Sequence, residues 1–224
     1  MKVINRVEFN DIYNDVEIGQ AYWYIIHTFS LRYPYRPTPK DKHQWKRFFD
    51  LLENLLPCNS CRTYYKMFRE TYPLENNMNN TLDLFQWTYM LHNFVNDKLG
   101  KIFTLDMKTA FNIYYNNGFE SDKFVQFLLL LAINFDVFSQ RIHVTQKDYL
   151  DFIEVCLDII DIEDSAIIRS KVLPISLDKH RLIGQIISCF KNYRIWFQKY
   201  LKVYLSNDYK YKCQQCTIEC CIMS

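Results

Sequence analysis

Cys58 and Cys61, in Leu56-Pro57-Cys58-Asn59-Ser60-Cys61, are the residues of this chain best suited to covalent chemistry. The apolar pattern before them ends on Leu51, Leu52, Leu55 and Leu56, and Pro57 cannot continue it. Arg62 to Tyr72 then begins another with Tyr64, Tyr65, Phe68 and Tyr72. The pair is therefore expected in the first turn of a helix, where sulfurs three positions apart face the same way. Unpaired backbone amides and the helix dipole favour a thiolate there, and a thiolate is the nucleophile of disulfide exchange. Half of a zinc site, or two buried thiols, would use the same letters, and one Cys-x-x-Cys does not separate these readings.

A second group of chemistry-bearing side chains stands later in the chain. His92 and Asn96 lie one helical turn apart, Asn93 sits beside them, and Lys101 follows just past Gly100. Four polar groups at a helix end can hold a polar ligand, the lysine meeting a phosphate, but an ordinary solvated face reads the same way. His27 lies in a helix that is apolar nearly all round. From spacing alone it reads as a hydrogen-bonded core histidine.

The elements that must position these groups read as helices. Of 224 residues, 49% are hydrophobic and 17% aromatic, enough for one large or two small cores, and four glycines with six prolines leave little turn chemistry for a β-protein. The expected class is all-α. Glu17 to Arg32 carries Trp23, His27 and Leu31 at four-residue steps. Thr38-Pro39-Lys40-Asp41 supplies a cap, a proline at the first helical position and an acid at the third, and starts a helix with Trp45, Phe48, Phe49, Leu52 and Leu55 on one stripe. Pro73 to Asn80 reads as a polar connector. Thr81 is the expected cap of a fourth helix bearing Leu84, Trp87, Leu91 and Val95, stopped by Gly100.

The balance of charge excludes a general affinity for polyanions: 27 Lys and Arg against 25 Asp and Glu leave a net charge of +2. Met1 to Val16 lacks the apolar core of a secretory signal, and Phe124 to Phe135 is too short and too interrupted to span a bilayer, so a soluble protein with no membrane span is expected. Eight cysteines in clusters suit redox or metal chemistry better than a disulfide scaffold.

Taken together, Gly19-Gln20-Ala21-Tyr22-Trp23, Ile26-His27-Thr28, Tyr33-Pro34, Pro37-Thr38, the Cys58 to Cys61 motif and Leu91-His92-Asn93-Phe94-Val95-Asn96-Asp97-Lys98-Leu99-Gly100-Lys101 resemble the Erv/ALR family of FAD-linked sulfhydryl oxidases in residues, order and spacing. The resemblance covers roughly residues 18–115 and implies a helical bundle holding FAD beside the Cys-x-x-Cys. It implies that Trp23, His27, Tyr33, His92, Asn93, Asn96, Lys101 and Lys108 bind the cofactor, that Cys61 is the sulfur beside the flavin, and that Cys58 exchanges with incoming thiols. The activity implied is a thiol oxidase that forms disulfides in protein substrates and reduces dioxygen to hydrogen peroxide, as a homodimer. Three features depart from the family pattern. Gln20 stands where the family commonly has arginine, no cysteine occurs between Cys61 and Cys156, so the structural disulfide of many members is missing, and a long extension follows the core; the residues around Lys108 also match poorly. With the long extension that follows, this resembles the enzymes of large DNA viruses and implies the host cytoplasm or the virion as location. The rival expectation is a zinc-binding helical interaction module without enzymatic activity, using Cys58, Cys61, Cys213 and Cys216. A thioredoxin-like protein is disfavoured because no βαβ pattern flanks the motif.

Asn116-Asn117-Gly118 divides the chain into an expected sulfhydryl oxidase domain, 1–118, and a second helical domain with a Cys-rich tail, 119–224. In the latter, helices are expected from Ser121-Asp122 through Phe138, from Thr145-x-x-Asp148 through Ile160, and from Asp178 to about Leu205. Cys156 and Cys189 read as buried, inert thiols. Tyr193 to Tyr200 interleaves aromatic and basic residues; a helix burying the former and exposing the latter explains it better than a nucleic-acid surface. Cys213-Gln214-Gln215-Cys216 would shuttle oxidising equivalents, as tail pairs do in the family, or would bind zinc with Cys220 and Cys221.

Overall fold

The computed structural model describes residues 15–56, 59–100, 105–120 and 145–160, together with 123, 124, 127, 128 and 131. Among the described residues all extended regular structure is helical, as the scarcity of glycine and proline requires. Among the described residues six α-helices have both ends defined: α1 Asp15–Arg32, α2 Pro39–Leu55, α3 Asn59–Thr71, α4 Thr81–Lys98, α5 Met107–Asn117 and α6 Gln146–Ile160. One 3-10 turn, Leu74–Asn77, joins α3 to α4.

Helix α1 is the axis of the bundle. It packs against α4, α5 and α6, which is why Ala21, Tyr22, Ile25, Ile26 and Phe29 are buried around most of its circumference. Helix α2 begins with the expected capping box: the Thr38 N–H donates to Asp41 Oδ2 at 2.8 Å and the Asp41 N–H to Thr38 Oγ1 at 3.3 Å, with Pro39 opening the first turn. Its stripe of Trp45, Phe48, Phe49, Leu52 and Leu55 is fully buried. Indole and phenol groups tie the helices at their ends. The Trp45 indole donates to Phe29 O at 2.8 Å, Tyr65 to Phe49 O at 2.8 Å, Tyr22 to Leu55 O at 2.7 Å, and the Trp87 indole to Tyr72 O at 2.8 Å.

The cap of α4 differs from expectation. Asn80 accepts from the Asp83 N–H and is the N-cap, while Thr81 is the first helical residue and its hydroxyl donates to Tyr33 O. An asparagine side chain reaches the third amide at least as well as a threonine, so the cap moves back by one. The polar connector before it is anchored, because Leu74 and Met78 are buried within it. Gly100 follows α4 at φ 68 and Gly118 follows α5 at φ 64, left-handed turns that L side chains adopt only with strain.

Helix α6 starts at the expected signal, with Thr145 Oγ1 accepting from the Asp148 N–H at 3.1 Å. It lies on α2 and on α1. Phe152 stacks on Phe48 at 5.4 Å between centroids, Arg47 pairs with Asp151 at 3.0 Å, and Arg32 donates to the terminal carbonyls of Ile159 and Ile160. Phe124, Phe127, Leu128 and Leu131 are buried in the same apolar cluster as α1 and α2. Among the described residues no helix is long and apolar enough to cross a membrane. The expected helix from Asp178, Cys189, the aromatic and basic run at 193–200, and the cysteines from Cys213 onward lie outside the described residues.

Candidate functional site

Trp23 and His27 are one turn apart on α1, and Thr88 and His92 are one turn apart on α4. Because these two helices pack side by side, the four residues form one layer. The rings of Trp23 and His92 stack almost parallel, with centroids 3.9 Å apart at 6°. His27 Nε2 lies 2.9 Å from His92 Nδ1, and His27 Nδ1 lies 3.3 Å from Thr88 Oγ1. His27 is buried, and burial followed by the neighbouring His92 holds its imidazole well below its ordinary pKa, hence neutral. A neutral ring has one N–H, and the surrounding bonds assign it. The Ser30 hydroxyl donates to His27 O at 2.7 Å and the Thr88 hydroxyl to Phe85 O at 2.9 Å, so the Thr88 oxygen is left to accept from His27 Nδ1–H. His27 Nε2 then accepts from His92 Nδ1–H. These contacts link Thr88, His27 and His92 in one chain of hydrogen bonds.

Cys61 stands on the adjacent side. It lies in the first turn of α3, half-buried, and is held in a disulfide; Cys58 lies outside the described residues. It forms one wall of a small, almost wholly apolar cavity of about 50 Å³ that also has Tyr22, Trp23, Tyr65, Leu91 and Val95 in its lining. The turn carrying the cysteine is anchored by Arg62, whose guanidinium donates to Leu56 O at 3.2 Å and to Asn59 Oδ1. The arrangement brings the disulfide-bonded Cys61 sulfur to a slot between α1, α3 and α4, with the Trp23 indole in its lining.

The remaining candidates divide. Asn96, buried, lies one turn beyond His92 on the same face of α4, and Asn93, half-buried, directly follows His92. Tyr33 is not brought to the layer: it lies past the end of α1, its hydroxyl donating to Met78 O at 2.9 Å and its ring 5.4 Å from Trp45. Lys108 is exposed in the first turn of α5, and Lys101 lies outside the described residues. Thr88 and Tyr114 belong to the site and were not anticipated. Thr88 had a signal, standing four residues before His92 on the same helix face. Tyr114 stacks obliquely on His27 at 4.6 Å from α5, and burial pushes its phenol up to about 12; nothing in its local sequence pointed there.

A second, larger cavity of about 300 Å³ shares Trp23 as a wall and is otherwise lined from α1 by Gln20 and Tyr24, from α5 by Tyr114 and Asn117, and from the segment after Gly118 by Glu120 and Lys123.

The sequence pattern of the Erv1 / Alr family matches residues 20–115, the stretch that builds both cavities up to α5. A protein of African swine fever virus named FAD-linked sulfhydryl oxidase is 33% identical over 86 residues, covering 37% of this chain and 68% of that protein. A mimivirus protein named probable FAD-linked sulfhydryl oxidase R368 is 36% identical over 80 residues, 35% of this chain and 56% of its own length. The Arabidopsis thaliana protein named FAD-linked sulfhydryl oxidase ERV1 is 30% identical over 86 residues, 38% of this chain and 44% of its length. The chain thus spans under half the length of the plant relatives it matches. No solved structure matches it. A helical bundle with Cys61 and Trp23 in the lining of one apolar slot places the chain in the all-helical class. The chain belongs to the Erv1 / Alr family.

Proposed function

We propose that this chain is an FAD-dependent thiol oxidase that forms disulfide bonds in protein substrates. The observation that carries the reading is a disulfide-bonded Cys61 in the lining of an apolar slot shared with Trp23, whose indole stacks on the His92 ring linked to His27. The residues present fit the cofactor. The indole, phenol and aliphatic carbons lining the slot match a flat tricyclic ring in chemistry, and the polar side chains of His92, Asn93 and Asn96 lie on α4, the helix that supplies Leu91 and Val95 to the lining. The names of the relatives support the same cofactor.

The steps follow from thiol chemistry. A substrate thiolate attacks Cys58 Sγ, the bond between Cys58 and Cys61 breaks, and Cys61 leaves as a thiolate. The second substrate thiolate attacks the mixed disulfide, so that the substrate leaves oxidised and Cys58 becomes a thiolate. FAD held beside Cys61 would supply the two-electron acceptor chemistry that the released Cys61 thiolate needs, with dioxygen and two protons giving hydrogen peroxide as the final product. The protein's share is positional. The first turn of α3 favours the thiolate form of Cys61, the apolar wall excludes water, and the His27 and His92 pair holds the polar edge in one protonation pattern. The tail pair Cys213 and Cys216 as a shuttle, a homodimer, a domain boundary near residue 118, and a location in the host cytoplasm or the virion complete the proposal. The location rests on the viral relatives.

The experiment is Cys61→Ser. The variant is expected to retain FAD, read from its absorbance, and to lose oxygen consumption with a small dithiol. Undiminished consumption would remove Cys61 from the reaction.

A further inference from the structure

The larger cavity beside Trp23 is completed by a segment that follows the stretch matched by the family. Helix α5 ends at Asn117, and Gly118, at φ 64, turns the chain back toward α1. There the Glu120 N–H donates to the Tyr24 hydroxyl at 2.6 Å, which pins the segment across the cavity. Lys123 follows, its Nζ 5.0 Å from the centroid of the Tyr24 ring and 2.7 Å from Glu120 Oε1. An ammonium fixed over an aromatic face by one carboxylate is a placed charge, and Lys123 keeps 48% of its side chain in solvent, within reach of a ligand.

The chemistry of the two cavities differs in the way the two ends of a flavin dinucleotide differ. The Cys61 slot is walled by carbon, and a phosphate there would lose its hydration with nothing to replace it. The larger cavity offers aromatic surfaces from Trp23, Tyr24 and Tyr114, amides from Gln20 and Asn117, and the Lys123 ammonium. The ionisable groups facing it are Glu120, Lys123 and the phenols of Tyr24 and Tyr114. Burial holds both phenols up at about 12, so Lys123 is the cation of this cavity among the described residues. Gln20 supplies no charge from α1.

We propose that this cavity takes the phosphate-bearing portion of the cofactor and that Lys123, from beyond the family segment, is a counter-charge to it. The inference rests on the FAD reading above. A phosphate oxygen replaces Glu120 Oε1 as the partner of Lys123, a point-charge contact of the kind lysine makes with phosphates. The carboxy-terminal segment then contributes directly to cofactor affinity.

The test uses the full chain freed of flavin and titrated with FAD and, separately, with riboflavin, which has no phosphate, following quenching of flavin fluorescence. Lys123→Met keeps the aliphatic stem and removes the charge; Lys123→Arg restores it. The methionine variant is expected to bind FAD about tenfold more weakly and riboflavin unchanged, the arginine variant to recover most of the loss, and added salt to weaken FAD binding more in the wild type than in the methionine variant. Equal FAD affinity in wild type and Lys123→Met, or an equal loss for FAD and riboflavin, would overturn the role of Lys123. A wild-type chain that binds neither flavin would instead overturn the FAD reading and this inference with it.

Discussion

At the scale of single residues, the site is governed by one buried imidazole. His27 is enclosed by Trp23, Phe85, His92 and Tyr114, and only its neutral form suits that setting. Its folded-state pKa is depressed below the ordinary 6.5, so the unfolded chain binds a proton that the folded chain refuses. Stability is therefore unaffected above the ordinary value and falls as pH drops below it, by about 1.4 kcal/mol per pH unit for one such group. Urea unfolding from neutral to mildly acidic pH is expected to show that slope in the wild type and a shallower one in His27→Asn. Identical slopes would mean that His27 takes up its proton in the folded state. Much of this layer was legible in the sequence, because Trp23 and His27 share a helix face and His92 carries the family motif. The pairing of the two histidines was not, since it depends on how α1 and α4 face each other, and Tyr114 comes from a helix whose own pattern says nothing of the site.

At the scale of elements, the local signals located helices well and their caps less well. Capping boxes at Thr38 and Thr145 start α2 and α6 where expected. The cap of α4 moved from Thr81 to Asn80 because two capping residues stand side by side and the helix can use either. Periodicity also gave the stripe of α2 but not its partners. Phe48 touches Phe29 on one side and Phe152 on the other, so α2 is sandwiched between the amino-terminal bundle and a helix about a hundred positions later. Truncating Phe152 to Ala leaves a cavity against Phe48 and Phe127, and is expected to cost about 3–5 kcal/mol by chemical denaturation. A loss below about 1 kcal/mol would mean that α6 is only loosely docked.

At the scale of the whole molecule, the matched segment and the sequence after it are joined structurally by α6 on α1 and α2, and by the Glu120 N–H donating to the Tyr24 hydroxyl at the larger cavity. Membership of the Erv1 / Alr family was legible from a few motifs because a flavin and a dithiol impose strict spacing. The docking of α6 on α1 and α2 was not, because an apolar helix pattern names no partner. The tail belongs to this scale as well. If Cys213 and Cys216 relay oxidising equivalents to the Cys58 and Cys61 pair, Cys213→Ser slows oxidation of a reduced protein substrate several-fold and leaves a small dithiol unaffected. Equal rates on both substrates in oxygen-electrode assays would rule the relay out.

The central claim is that this chain carries a flavin in electronic contact with the Cys61 disulfide. The visible absorption spectrum of the purified protein, taken before and after a small dithiol and again after exposure to air, tests it most directly. The expected result is a flavin band that bleaches with the dithiol and returns in air, and a Cys61→Ser variant whose band is present but does not bleach. A colourless protein carrying stoichiometric zinc would contradict the account and reassign the cysteines as metal ligands.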